Sequence, residues 1–104
     1  MTLEWLFEII QERQRNPRPD SYTAQLLEAG LPRIAQKVGE ESAEVLVAAL
    51  AQEDRRLIEE VADLTYHLLV LLAARGLSPH QVQDELERRH RRKADSGPQT
   101  ADGG

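Results

Sequence analysis

An all-α fold, a helical bundle of four to five helices completed by dimerisation, is what this 104-residue sequence predicts. Apolar residues recur at intervals of three and four along most of the chain, which is the helical period. The prolines stand at the edges of the periodic segments or in the tail, and no segment alternates apolar and polar residues as a half-buried strand would. So short a chain has room for one modest core, so residues 1–93 are expected to form a single domain that gains from burial between subunits.

The first helix runs from about Leu3 to Arg15, with Leu3, Leu6, Phe7 and Ile10 on one face. "NPRPD" stops it, because proline breaks a helix and biases the residue before it towards extended backbone. Ser21 or Thr23 is placed to cap a short helix, "AQLLEA", and Gly30 suits the left-handed position beyond its end. Pro32 fits the first turn of a third helix that reaches about Ala51. After the short "QED" connection a fourth runs from about Asp54 to Arg75, with Gly76 as its stop. "SPHQ" opens the fifth: Ser78 can cap, Pro79 fits the first turn, and Gln81 completes a capping-box spacing. The tail "ADSGPQTADGG", residues 94–104, has no large apolar residue and is expected to be disordered.

Composition narrows the function. Acidic residues outnumber basic ones by 18 to 13, which argues against a general nucleic-acid binder. Cysteine is absent, and with it disulfides, thiolate metal sites and cysteine nucleophiles. "MTLEWLFEII" has no basic leader and reads as an amphipathic helix, while "LTYHLLVLLAA" is about half of the ~20 residues a membrane span needs. A cytoplasmic protein without a membrane partner is expected.

The acidic residues are arranged unusually for a plain helical bundle. Projected at about 100° per residue, Ile34, Val38, Val45 and Ala49 of the third helix share one arc, and Glu41 falls in its middle. Glu44 lies on the flank, with Glu40, Lys37 and Arg33 on the same side. In the fourth helix Leu57, Val61, Leu64, Leu68 and Leu72 form the apolar stripe, bordered by Glu60, Asp63, His67 and Arg56. If the two helices pack antiparallel, their carboxylate pairs face each other across the seam. Facing carboxylates repel unless a cation lies between them, and an all-oxygen donor set suits a hard divalent ion such as magnesium (Mg2+). Glu40 and Glu59 fit equally well on a solvated face; Glu41 does not, because burying an unpaired carboxylate costs several kcal/mol. His67 reads as a hydrogen-bonded packing residue, and the basic run Arg88 to Lys93 as the favoured charge of a helix C-terminus.

The paired pieces "EESAE" and "EVAD" resemble the signature of the MazG-type all-α nucleoside triphosphate pyrophosphohydrolases. The surrounding blocks "SYTAQLLEAG", "RIAQKVGEESAEV" and "ADLTYHLLVLLAARGLS" resemble, in order and spacing, those of the phosphoribosyl-ATP pyrophosphohydrolase family. Ser42 and Thr65 depart from the expected apolar residues, but neither departure removes a carboxylate. The resemblance implies a MazG-like helical bundle without the cyclohydrolase domain fused to some relatives. It also implies hydrolysis of phosphoribosyl-ATP to phosphoribosyl-AMP and pyrophosphate, the second step of histidine biosynthesis. In that reading Glu41, Glu44, Glu60 and Asp63 hold magnesium, with manganese (Mn2+) as a substitute, and Glu40 or whichever carboxylate stays off the metal accepts the proton of the attacking water. Catalysis then falls to Glu40 and Glu41, and substrate binding to Lys37, Arg33, Ser21, Tyr22 and Thr23.

Two other functions fit parts of the pattern. A housecleaning pyrophosphatase for noncanonical nucleoside triphosphates would share the carboxylates but not the flanking blocks, and a non-catalytic dimerisation module would bind no metal. A homodimer is expected in each case, because Tyr66, Leu69 and Val70 lie away from the Leu57 to Leu72 stripe and the helix needs cover on more than one side.

Overall fold

The computed structural model describes residues 1–93; the tail expectation for 94–104 lies outside the described residues. Five helices follow one another, α1 (Leu3–Arg15), α2 (Tyr22–Ala29), α3 (Leu31–Ala51), α4 (Asp54–Ala74) and α5 (Pro79–Lys93), and no strand occurs among the described residues. The boundaries follow local chemistry. Thr2 caps α1 by accepting the Trp5 N–H at 3.1 Å, and Ser21 caps α2 by accepting the Ala24 N–H at 3.1 Å. Gly30 takes φ 96°, which only glycine adopts without strain, and serves as the end of α2 and the start of α3 at once. At the end of α4, Gly76 has φ 71° and the Leu77 N–H reaches back to the Leu72 carbonyl at 2.8 Å, the six-to-one bond of a Schellman stop. Gln81 Oε1 accepts the Ser78 N–H at 2.9 Å, one half of the capping box expected at α5.

α3 and α4 form an antiparallel hairpin that is the longest unit of the molecule, joined through Gln52 and Glu53. α1 and α2 pack across one end of it. There Phe7, Ile10, Leu26, Ile34, Leu69, Val70 and Ala73 make the apolar core. α5 lies against α1, with His80 Nε2 2.7 Å from a Glu4 carboxylate oxygen.

α4 faces the other way from the sequence expectation. It buries Glu60, His67, Leu69, Val70 and Ala73, while Val61 and Leu68 of the anticipated stripe are exposed. Leu69 and Val70, the residues expected to need a partner subunit, are already covered within the chain, and Tyr66 packs against the same core. The cause is that α1 and α2 dock on that side of α4 and leave Val61 and Leu68 open, with Leu57, Leu64 and Leu72 only partly covered. A groove of about 730 Å³, lined by Leu3, Leu68, Leu72, Val82 and Leu86 among others, runs between that side and α5.

Candidate active site

α3 buries Ile34, Glu41 and Ala48 on one face, so Glu41 occupies a core position among apolar neighbours and is only 7% exposed. Glu60 of α4, 4% exposed, looks into the same seam. Carboxylate oxygens of Glu41, Glu60 and Asp63 lie within 4.8 Å of one another, close enough to share one small cation. Glu44 is exposed, and its negative charge acts on the Glu60 carboxyl from outside the three-residue cluster.

Each buried glutamate is half satisfied. Glu41 Oε2 is 3.7 Å from Lys37 Nζ, and Glu60 Oε2 accepts from the Arg56 guanidinium, both one helical turn away. Glu41 Oε1 and Glu60 Oε1 are buried and have no hydrogen-bond partner. A buried carboxylate oxygen without a donor is costly, and an oxygen-only donor set with two such atoms fits a hard divalent cation. Burial, followed by the neighbouring Glu44 carboxylate, raises the Glu60 pKa above its ordinary 4.5, against the pull of Arg56.

The other sequence-predicted residues are placed unequally. Glu40 is exposed one residue before Glu41, accepting from Gln36 Nε2 at 3.1 Å and 3.7 Å from Lys37 Nζ. Lys37 is half-buried between Glu40 and Glu41. Arg33 is exposed a turn further back and makes no ion pair among the described residues. Ser21 is engaged in capping, Thr23 Oγ1 shares a hydrogen bond with the Tyr66 hydroxyl, and the Tyr22 hydroxyl meets His67 Nε2 at 3.0 Å. His67 is buried, and its Nδ1 lies 2.8 Å from the Asp63 carbonyl oxygen.

Sequence reasoning did not connect Tyr22 to His67 or Thr23 to Tyr66, and it gave Arg56 no role. The i, i+4 spacing of Arg56 and Glu60 was a readable signal; the tyrosine contacts, 43 and 45 residues apart in sequence, left none in local periodicity.

Comparison with known proteins adds an independent observation. The family model described as phosphoribosyl-ATP pyrophosphohydrolase matches residues 3–90. A protein named phosphoribosyl-ATP pyrophosphatase from Pyrobaculum calidifontis is 56% identical over 87 residues, 84% of this chain and 93% of that protein. Proteins of the same name from Sulfurisphaera tokodaii and Lacticaseibacillus casei are 53% and 51% identical, the alignments covering 84% and 86% of this chain and 93% and 81% of theirs.

Proposed function

Because the chain belongs to the phosphoribosyl-ATP pyrophosphohydrolase family, we propose that it hydrolyses phosphoribosyl-ATP between the α and β phosphates, giving phosphoribosyl-AMP and pyrophosphate in the cytoplasm. The observation that carries the chemistry is the pair of buried, partnerless oxygens on Glu41 and Glu60 beside Asp63. Glu41, Glu44, Glu60 and Asp63 are the residues that would hold magnesium, or manganese in its place. Such an ion, when bound, supplies charge neutralisation at the phosphate oxygens and a more acidic water.

The remaining work belongs to the chain's own side chains. Lys37, already between Glu40 and Glu41, and Arg33, on the same flank, bind phosphate oxygens through charge-assisted hydrogen bonds. Glu40 faces solvent and accepts the proton of the attacking water unless another carboxylate stays off the metal and takes that role. Of the three residues at the start of α2, Tyr22 is the one left about half-exposed, whereas Ser21 and Thr23 act chiefly by holding α2 in place.

The working unit is a homodimer in this reading. Leu46, Val47 and Leu50 of α3 and Ile58, Val61 and Leu68 of α4 are all exposed by 41% or more, a larger apolar display than a stable monomer keeps. A second copy applied across a two-fold axis covers the same surface on both chains. Among the described residues no helix is long and apolar enough to cross a membrane.

Pyrophosphate release from phosphoribosyl-ATP, measured beside a panel of ordinary and noncanonical nucleoside triphosphates, tests the assignment. Turnover of phosphoribosyl-ATP well above the panel, abolished by chelation and restored by magnesium or manganese, is expected. Preference for a noncanonical triphosphate would transfer the protein to a housecleaning role, and full turnover in excess chelator would overturn the metal assignment.

A further inference from the structure

Tyr22 is held by its tip, yet about half of the residue remains exposed. The Asp63 carbonyl can only accept, so His67 Nδ1 carries a proton, and in that tautomer Nε2 accepts from the Tyr22 hydroxyl at 3.0 Å. Buried His67 thus fixes the phenol end, while the Tyr22 residue stays 49% exposed. Tyr66 flanks it with a ring centroid 6.3 Å away and an interplanar angle of 29°, and the His67 ring meets it edge-on at 6.0 Å and 78°. An aromatic ring so restrained loses little further freedom when a ligand covers it.

Its location matters as much as its restraint. His67 follows Asp63 by one turn of α4, so the tyrosine tip stands about 6 Å along the helix axis from the acidic cluster. A nucleotide whose phosphates lie at that cluster sends its nucleoside along the hairpin in one direction or the other. Towards the hairpin tip the exposed large side chains are aliphatic, Leu46, Leu50 and Ile58. Towards α2 the nucleoside meets Tyr22.

We propose that the exposed face of Tyr22 is the platform on which the aromatic base of the nucleotide stacks, with His67 as the positioning residue that holds the ring at that angle. This rests on the nucleotide chemistry proposed above and adds to it where the base binds. Stacking suits the task because every base presents a π face, whatever its hydrogen-bonding edge carries. A base modified on its edge by a bulky substituent is therefore still accepted.

The test separates base from phosphate. The magnesium-loaded protein is titrated calorimetrically with AMP and with ribose 5-phosphate, which keeps a sugar and a phosphate but has no base. Tyr22→Leu is expected to weaken AMP roughly tenfold and ribose 5-phosphate by less than about twofold, and to raise KM for phosphoribosyl-ATP by roughly tenfold with a smaller effect on kcat. Tyr22→Phe keeps the ring and should stay within about threefold of the parent for both ligands. His67→Asn keeps a donor near the Asp63 carbonyl but removes the acceptor for Tyr22, so it should lower the AMP preference part of the way while the folded spectrum is retained. Equal weakening of AMP and ribose 5-phosphate in Tyr22→Leu, or an unchanged KM in that variant, overturns the platform even if the parent turns over phosphoribosyl-ATP. A parent that hydrolyses no phosphoribosyl-ATP yet loses its AMP preference in Tyr22→Leu leaves the platform standing and overturns the reaction instead.

Discussion

Replacing Glu41 by glutamine separates a carboxylate kept for metal from one kept for stability. The substitution preserves shape and removes one negative charge from a cluster whose oxygens lie within 4.8 Å. Between Glu41 and Asp63 that spacing corresponds to a repulsion of roughly 1–3 kcal/mol, for effective dielectric constants from about 80 down to about 20. Against this stands the contact with Lys37 at 3.7 Å, worth roughly 1–4 kcal/mol on the same scale, from which the desolvation of the buried Glu41 carboxylate must be subtracted. Lys37 keeps Glu40 as a partner, so it is not stranded by the change. Repulsion and the desolvation of a buried carboxylate with one unpartnered oxygen together outweigh the lost pair, and the metal-free variant should melt at or above the temperature of the parent. Magnesium reverses the order. At about a hundredfold excess over its Kd, a ligand of the folded state adds about 2.7 kcal/mol, which for a domain of this size is a Tm rise of roughly 10–20 °C. The variant should lose most of that rise together with its pyrophosphate release. Thermal melts at one fixed protein concentration, with magnesium or with chelator, read both effects. A Glu41→Gln protein that melts well below the parent without metal, or that keeps full activity, would refute the reasoning.

Two further outcomes follow from the same geometry. Burial raises the Glu60 pKa, so the neutral form is favoured by folding, and the stability it contributes is complete below about 4.5 and lost as pH rises through the higher folded value. Metal-free protein should therefore lose stability relative to Glu60→Gln as pH is raised from about 4.5 to 8, whereas the gain from magnesium should shrink as pH is lowered because metal must displace that proton; melts of both proteins across this range check it, and parallel curves would contradict it. Leu68→Asp, on the open side of α4 and lining the groove beside α5, should convert a dimer into a monomer in light scattering at micromolar concentration, and a parent that is itself monomeric would remove the case for subunit burial.

The helices were legible because each carried its own punctuation. Ser21, Gly30, Pro32, Gly76 and Gln81 act where the sequence put them, and α2 merely starts two residues earlier than "AQLLEA", at Tyr22. The burial of Glu41 was legible for the same reason, since a carboxylate in the middle of an apolar arc has few ways to reach water. α4 was harder. Its wheel shows that Leu57, Val61, Leu64, Leu68 and Leu72 share a side, but a wheel cannot say whether that side meets the same chain or another one. In this chain α1 and α2 take the opposite side, through Phe7, Ile10 and Leu26 packed with Leu69 and Val70. The Tyr22–His67 and Thr23–Tyr66 contacts depend on that docking, and no periodicity within either helix announces them.

Both unusual properties of α4 follow from this orientation. With the core on one side and Val61 and Leu68 open on the other, the seam with α3 receives Glu60, opposite Glu41. Stability alone gives no reason for carboxylates there, because apolar residues of similar volume in place of a buried ion pair are commonly neutral or stabilising. A purely structural pair would be expected to engage both oxygens of each carboxylate. Lys37 and Arg56 instead each engage one oxygen and leave Glu41 Oε1 and Glu60 Oε1 buried without a donor. Two half-neutralised acids with their free oxygens in one seam form an arrangement that costs stability until a cation is bound. The cations already present are long and hinged on exposed or half-buried stems, so each is able to turn from carboxylate to phosphate when a metal takes over the neutralisation. On this reasoning the acidic seam is retained for a ligand, and in the proposed dimer the exposed Val61 and Leu68 side of α4 is where a second copy would restore the burial the chain gave up.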